Sequence, residues 1–128
     1  MFTDPITLNP TSFGGANVNK AYSLVGWGGD TSTKRRVAAT ALTTPEDMMI
    51  SHRVQKDGTL LVDQHMVRLD TQFTDPIKGV CKLSSWLVIR VPQGTSVVTL
   101  QEIKDQVGRL IAFEQSVGAL DKILNNEP

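Results

Sequence analysis

Apolar and polar residues alternate with a period of two through most of the chain up to Val91, and from Thr99 onward the spacing becomes helical. Ile6-Thr7-Leu8 is a short alternating segment closed by Asn9-Pro10 and predicts a first strand. Phe13 to Asn17 reads as a turn, and Ala21 to Val25 as a second strand stopped by Gly26-Trp27-Gly28-Gly29-Asp30. Lys34 to Leu42 is rich in Val, Ala and Thr and predicts a third. It is broken at Thr43 to Asp47, where Pro45 offers no ladder donor and restrains the residue before it.

A central hairpin follows. Met48–Gln55 and Leu60–Gln72 flank Lys56-Asp57-Gly58-Thr59, and Asp-Gly is a strong two-residue turn signal. A type I′ turn there pairs Lys56 with Thr59, His52 with Asp63, Ile50 with His65 and Met48 with Val67. One face then holds Met48, Ile50, His52 and Val54. The other holds Met49, Ser51, Arg53 and Gln55 opposite Met66, Gln64, Val62 and Leu60, with Arg68 and Asp70 beyond them. A one-residue error in register would exchange these faces. Thr74-Asp75-Pro76 predicts a turn, Lys78 to Lys82 a short irregular link or strand, and Leu83 to Val91 a last strand. That strand carries Leu83, Ser85, Leu87, Ile89 and Val91 on one side and Ser84, Trp86, Val88 and Arg90 on the other.

Thr99-Leu100-Gln101-Glu102 is a capping box that opens a helix with Ile103, Val107, Leu110 and Ile111 as its apolar stripe. Ser116 is placed to cap a second short helix, with Val117, Leu120, Ile123 and Leu124 apolar. The fold class is therefore α+β, an antiparallel sheet followed by two C-terminal helices. A terminal helix pair covers only one face of a sheet, so the polar face stays open. The stripe itself has no further chain to pack against. It either folds back over its own sheet or lies over the sheet of a second copy, an arrangement that also removes an exposed edge strand.

Length and composition narrow this picture. The 128 residues suit one domain, 1–128, divided into an N-terminal hairpin (1–30), main sheet strands (31–92) and a helix pair (97–126). Net charge is zero, but residues 1–98 carry 10 basic and 8 acidic side chains and residues 99–128 carry 3 and 5, a bias compatible with nucleic acid on the sheet. Cys81, the single cysteine, excludes an intrachain disulfide and a Cys-based zinc site. No apolar run reaches the roughly 18 residues of a membrane span, and the N-terminus lacks a signal peptide's pattern. The expectation is a protein made in a cytoplasm and not exported, with no membrane partner.

Enzymatic readings fare poorly. His52 and Asp63 share a face from which Ser51 points away, so nucleophile and base are out of reach of each other. His52 and His65 lack a third and fourth metal ligand, and packed, hydrogen-bonded histidines under the helices are the expectation. Phe13 to Asn17 lacks the Lys-Ser/Thr of a phosphate loop. No catalytic residue, metal or cofactor is expected.

Several segments taken together resemble the coat proteins of single-stranded RNA bacteriophages, the leviviruses. They are the N-terminal hairpin, the central hairpin Ile50-Ser51-His52-Arg53-Val54 to His65-Met66-Val67-Arg68-Leu69, the strand Trp86-Leu87-Val88-Ile89-Arg90-Val91-Pro92, and a helical ending, Leu120-Asp121-Lys122-Ile123-Leu124-Asn125. The resemblance spans nearly the whole chain, although Thr74 to Lys82 is short for it. It implies an intertwined homodimer with a continuous ten-stranded sheet, each chain's helices reaching over the other's sheet through Leu87, Ile89, Ile103, Val107, Leu110, Ile111, Leu120 and Ile123. It also implies a T=3-type icosahedral virion shell around single-stranded RNA, assembled in a bacterial host's cytoplasm. The inner face would bind an RNA stem-loop that serves as packaging signal and translational repressor.

Carried over residue by residue, that RNA role falls on Ser51, Arg53, Gln55, Gln64, Met66, Arg68, Ser84, Trp86 and Arg90. Arg offers forked donors to phosphate, hydroxyl and amide groups read base edges, and an exposed Trp or Met gives a stacking surface. Bland readings stand beside these: Arg53 and Arg68 as a solvated face with Asp70, and Trp86 as a core residue at the dimer seam. The basic run Lys34-Arg35-Arg36 reads as a contact to RNA phosphates, because that strand joins the same sheet, with mere exposure at a strand start as the alternative. A dimeric β-sheet RNA-binding regulator that never forms a shell needs the same open face.

Overall fold

The computed structural model describes residues 2–13, 15–28, 31–38, 40, 43–94, 98–116 and 118–126. Its strands are β1 (Ile6–Leu8), β2 (Lys20–Trp27), β3 (Ser32–Val37), β4 (Glu46–Asp57), β5 (Leu60–Asp75) and β6 (Gly79–Pro92), and its helices are α1 (Leu100–Glu114) and α2 (Ala119–Leu124). The chain divides into two units, residues 1–8 with 20–93 and residues 9–19 with 94–128.

The first unit is a six-stranded antiparallel sheet in sequence order, β1-β2-β3-β4-β5-β6. Its core lies on one face, where Tyr22, Val37, Met48 and Ile50 are buried and Ile6, Val67 and Leu69 pack against them. These residues come from five strands yet share one side, as period-two alternation requires. Glu46 locks the same region, accepting from Lys20 Nζ at 2.6 Å and from the Tyr22 hydroxyl at 2.9 Å. Burial first, and then that bond to Glu46, pushes the Tyr22 hydroxyl's ionisation well above its ordinary value.

The hairpin register differs from the sequence expectation by two residues. Asp57 pairs with Leu60, Val54 with Asp63, His52 with His65, Ile50 with Val67 and Met48 with Leu69. The tight turn is Gly58-Thr59 rather than Asp57-Gly58. Gly58 adopts φ +61° and Thr59 does not enter the left-handed region, the signature of a type II′ rather than a type I′ turn. A β-branched Thr resists positive φ, whereas Gly accepts it freely. Because the slip is even, every side chain keeps the face assigned to it.

Several boundaries also differ, β2 running on to Trp27 and β4 starting at Glu46 among them. β3 is Ser32–Val37 rather than Lys34 to Leu42, because Thr40 turns the chain back with its amide and hydroxyl both donating to the Val37 carbonyl. Ala39, Ala41 and Leu42 lie outside the described residues. The expected turn at Thr74-Asp75-Pro76 sits slightly later, since Thr74 and Asp75 still belong to β5. The Asp75 carboxylate accepts from the amides of Ile77 and Lys78 to close it. β6 then starts at Gly79, so of the two readings of Lys78 to Lys82, irregular link or strand, the strand holds.

In the second unit, Pro10–Phe13 forms a 3-10 turn, and the Asn9 side chain donates to Asn17 and Asn19. The capping box forms as expected, with Thr99 Oγ1 accepting from the Glu102 amide and the Glu102 carboxylate accepting from the Thr99 amide. Ser116 does not cap α2. Its hydroxyl donates to the Phe113 carbonyl, and the α2 N-cap is Gly118 at φ +75° with no side-chain bond. Val117 lies outside the described residues.

Candidate nucleic-acid interface

The face opposite the core collects the nine residues assigned to RNA. Register pairs place Ser51 beside Met66, Arg53 beside Gln64, Gln64 beside Arg90, Arg68 beside Trp86 and Asp70 beside Ser84, with Gln55 next to Val62 on the same side. β3 adds Lys34 and Arg36, and β6 adds Lys82. The strand cations on this face are thus Lys34, Arg36, Arg53, Arg68, Lys82 and Arg90, against the carboxylates of Asp47, Asp57 and Asp70. On the core face Lys20, Arg35 and Lys56 are matched by Glu46, Asp63 and Asp75. The zero net charge of the chain therefore conceals a positive sheet face.

Two carboxylates organise the cations. Asp47 receives Arg36 in a fork, Nε at 2.6 Å and Nη2 at 2.9 Å, and Lys34 at 3.1 Å. The Arg36 bond, with help from Lys34, holds the Asp47 carboxyl below the usual range. Asp70 accepts from Ser84 Oγ at 2.6 Å and Arg68 Nε at 2.9 Å and faces Lys82 Nζ at 3.2 Å. Partial burial pushes the Asp70 carboxyl up, but those three partners outweigh it and the group is held low. A hollow of ≈ 270 Å³ lies between the clusters, lined by Lys34, Met49, Arg68, Gln72 and Lys82 with both aspartates.

Toward the hairpin tip the pattern loosens. Gln55 and Gln64 meet at 2.7 Å, and the amide orientation that satisfies both lets Gln55 accept from Arg53 Nε at 3.0 Å and Nη2 at 2.8 Å. Among the described residues Arg53 has no carboxylate, and Arg90 meets only the exposed Asp57 at 3.0 Å. Trp86 is 62% exposed, with the Arg68 guanidinium 6.0 Å from its ring centroid. A flat aromatic flanked by a cation offers a base both a stacking plane and a charge for its phosphate.

Two assigned residues have less freedom than their types suggest: Gln64 is buried at 8% exposure, and the Ser84 hydroxyl is committed to Asp70. The basic run Lys34-Arg35-Arg36 is split by the strand. Arg35 turns to the core face, is buried and pairs with Asp4 at 2.8 Å, so only Lys34 and Arg36 reach the polar face. Sequence reasoning missed Asp47, Gln72 and Lys82 at the hollow: alternation puts Asp47 on the side of Met49, Gln72 on that of Arg68 and Lys82 on that of Ser84, but only the ladder order brings the three together.

His52 and His65 are direct cross-strand partners on the core face, Nδ1 to Nδ1 at 2.8 Å, and His52 is exposed rather than packed away. Among the described residues no group of His, Cys, Asp and Glu could hold a metal ion, and no helix is long and apolar enough to cross a membrane.

The sequence matches no protein-family model and no curated protein. The fold does have counterparts among solved structures. A chain of the virus-like particle of Beihai levi-like virus 21 superposes with TM-score 0.71 at 11% identity, covering 100% of this chain and 97% of that one. A chain of the virus-like particle of bacteriophage ESE058 gives 0.71 at 13% identity over 96% and 95%. A chain of the virus-like particle of bacteriophage AVE015 gives 0.52 at 12% identity, over 72% of this chain and 66% of that chain. The six-stranded sheet followed by two helices is thus the fold of levivirus-type shell chains.

Proposed function

We propose that this chain is a coat protein. It pairs with a second copy, the dimers close into an icosahedral virion shell around single-stranded RNA, and the cationic sheet face binds an RNA stem-loop. The observation that carries this reading is the end-to-end fold likeness to chains of levi-like virus-like particles. The polar face supports the RNA part, with its cation excess, its exposed Trp86 and its amide donors. Roles as packaging signal reader and replicase repressor, and a T=3 arrangement assembled in a bacterial cytoplasm, follow from the same resemblance.

Pairing is supported by two surfaces. β6 has one ladder neighbour, β5, so its other edge presents free backbone groups over 14 residues. On the helices Leu110, Ile111, Leu120 and Ile123 are exposed and Ile103 and Val107 half-buried, while Leu87 and Ile89 of β6 are half-buried. Two sheets joined at β6 would count twelve strands rather than ten, because β1 ladders onto β2 here.

Electron microscopy of the purified protein tests the shell. Closed particles of uniform size are the expected result, and a dimer of about 28 kDa that never closes would instead identify a shell-free RNA-binding regulator.

A further inference from the structure

The core face opens into a hollow at the edge of the packed core, away from the RNA face. It measures ≈ 540 Å³ and is walled by Phe2, Trp27, Thr33, Arg35, Ile50 and His52. That volume and that mixture of aromatic walls with a few polar groups are typical of a site that takes an occupant. At 2% exposure Arg35 is one of the most buried residues described, yet its Nε has no hydrogen-bond partner. Its one ionic partner among the described residues, Asp4, is half exposed, and the same Asp4 oxygen also accepts from the Leu24 amide. A buried guanidinium whose charge is met by one half-exposed carboxylate is left under-compensated, and a second carboxylate at the rim of the hollow would offset that cost.

The second unit carries a complementary group. α1 ends at Glu114, with no basic residue in its last turn, so a carboxylate sits where the helix dipole disfavours it. Glu114 follows Leu110 by four residues and Ile111 by three, which places it at the end of the apolar stripe Ile103, Val107, Leu110, Ile111. Glu102 and Asp105, the other α1 acids, are committed to Thr99 and Gln101.

We propose that Glu114 of a second copy enters this hollow and ion-pairs with Arg35, with Leu110 and Ile111 filling the space between Trp27, Phe2 and Ile50. This inference rests on the pairing proposed above and names its polar anchor. Arg35 is here a positioning residue that fixes where the partner's helix lands, and the site is incomplete in one chain.

The test is a double-mutant cycle on dimer affinity, read by native mass spectrometry across dilution, with Glu114→Gln, Arg35→Gln and the double variant. Glu114→Gln alone should weaken the dimer about tenfold or more, and should cost little further in the Arg35→Gln background, where the charge is gone. A second measurement is independent of the stability of Arg35 variants. In a Cys81→Ser background, Thr33→Cys on one copy and Glu114→Cys on a mass-tagged other copy should form a disulfide between copies when oxidised by dissolved oxygen. Dimers or particles in which the two substitutions act independently, or in which that cross-link is missing, overturn the Arg35–Glu114 pairing and leave the coat reading intact. A wild-type chain that stays monomeric at all concentrations overturns both.

Discussion

The two faces of the β4–β5 hairpin are built by the same strands, yet their chemistries are opposed. On one, Met48, Ile50, Val67 and Leu69 join Tyr22 and Val37 in the core, and the charges are few, Lys20 pairing with Glu46 and Arg35 with Asp4. On the other, six cations surround three carboxylates, and the largest apolar group, Trp86, is left in the open. Removing a core residue should therefore damage the fold and spare any recognition by surviving molecules. Removing a polar-face residue should do the reverse.

The strongest way to break that contrast is Ile50→Asp. An unpaired carboxylate in this thin core should remove roughly 4 kcal/mol or more, read as a collapsed urea midpoint. A protein that keeps its midpoint would show that the core lies elsewhere. Leu110→Asp should leave the sheet folded and abolish dimers by size-exclusion chromatography. A normal dimer would remove the helical stripe from the interface.

Smaller effects sharpen the polar face. Trp86→Ala should weaken binding of a single-stranded RNA loop about tenfold to a hundredfold, in line with the cost of losing one stacked base, and Trp86→Phe should retain most of it. Arg53→Ala and Arg68→Ala should each cost about tenfold and lower the salt dependence of affinity by about one counterion, measured by filter binding across salt concentrations. Arg68→Ala should also release Asp70, and Arg53→Ala no carboxylate at all.

The smallest effect is acid sensitivity. The carboxyls of Asp47 and Asp70 are held lower in the folded chain than in the unfolded one. Their contribution is therefore complete above the ordinary carboxylate range near 4 and is lost as pH falls through their folded values. Asp47→Asn and Asp70→Asn should each cost about 1 kcal/mol at neutral pH and flatten that acid limb in a pH series of urea melts. An unchanged limb in both would assign the acid response to other groups.

Much of this contrast was legible in the sequence because side-chain alternation survives errors of even size. A pattern of period two cannot distinguish His52 beside Asp63 from His52 beside His65, since both put the same residues on the same side. The turn residue was equally ambiguous. Gly58 satisfies the second central position of a type I′ turn or the first of a type II′, and the deciding fact was the reluctance of Thr59 to take positive φ. What alternation forbade was still misread in one place. Three consecutive basic residues in a strand cannot all face RNA, and Arg35 had to turn inward. The Asp47 and Asp70 clusters were hidden for a different reason. They join β3, β4, β5 and β6, and such contacts depend on ladder order rather than on any local spacing.

β6 carries a final consequence. Its outer edge runs for 14 residues with no proline before Pro92, and Lys82 and Arg90 are its only charges. A lone chain newly released from synthesis therefore carries a long adhesive seam. If a second copy seals it, the scarce chain is the vulnerable one, and abundance is protective. Soluble yield should then rise with expression level until mates are plentiful, opposite to the behaviour of proteins whose clumping grows with crowding.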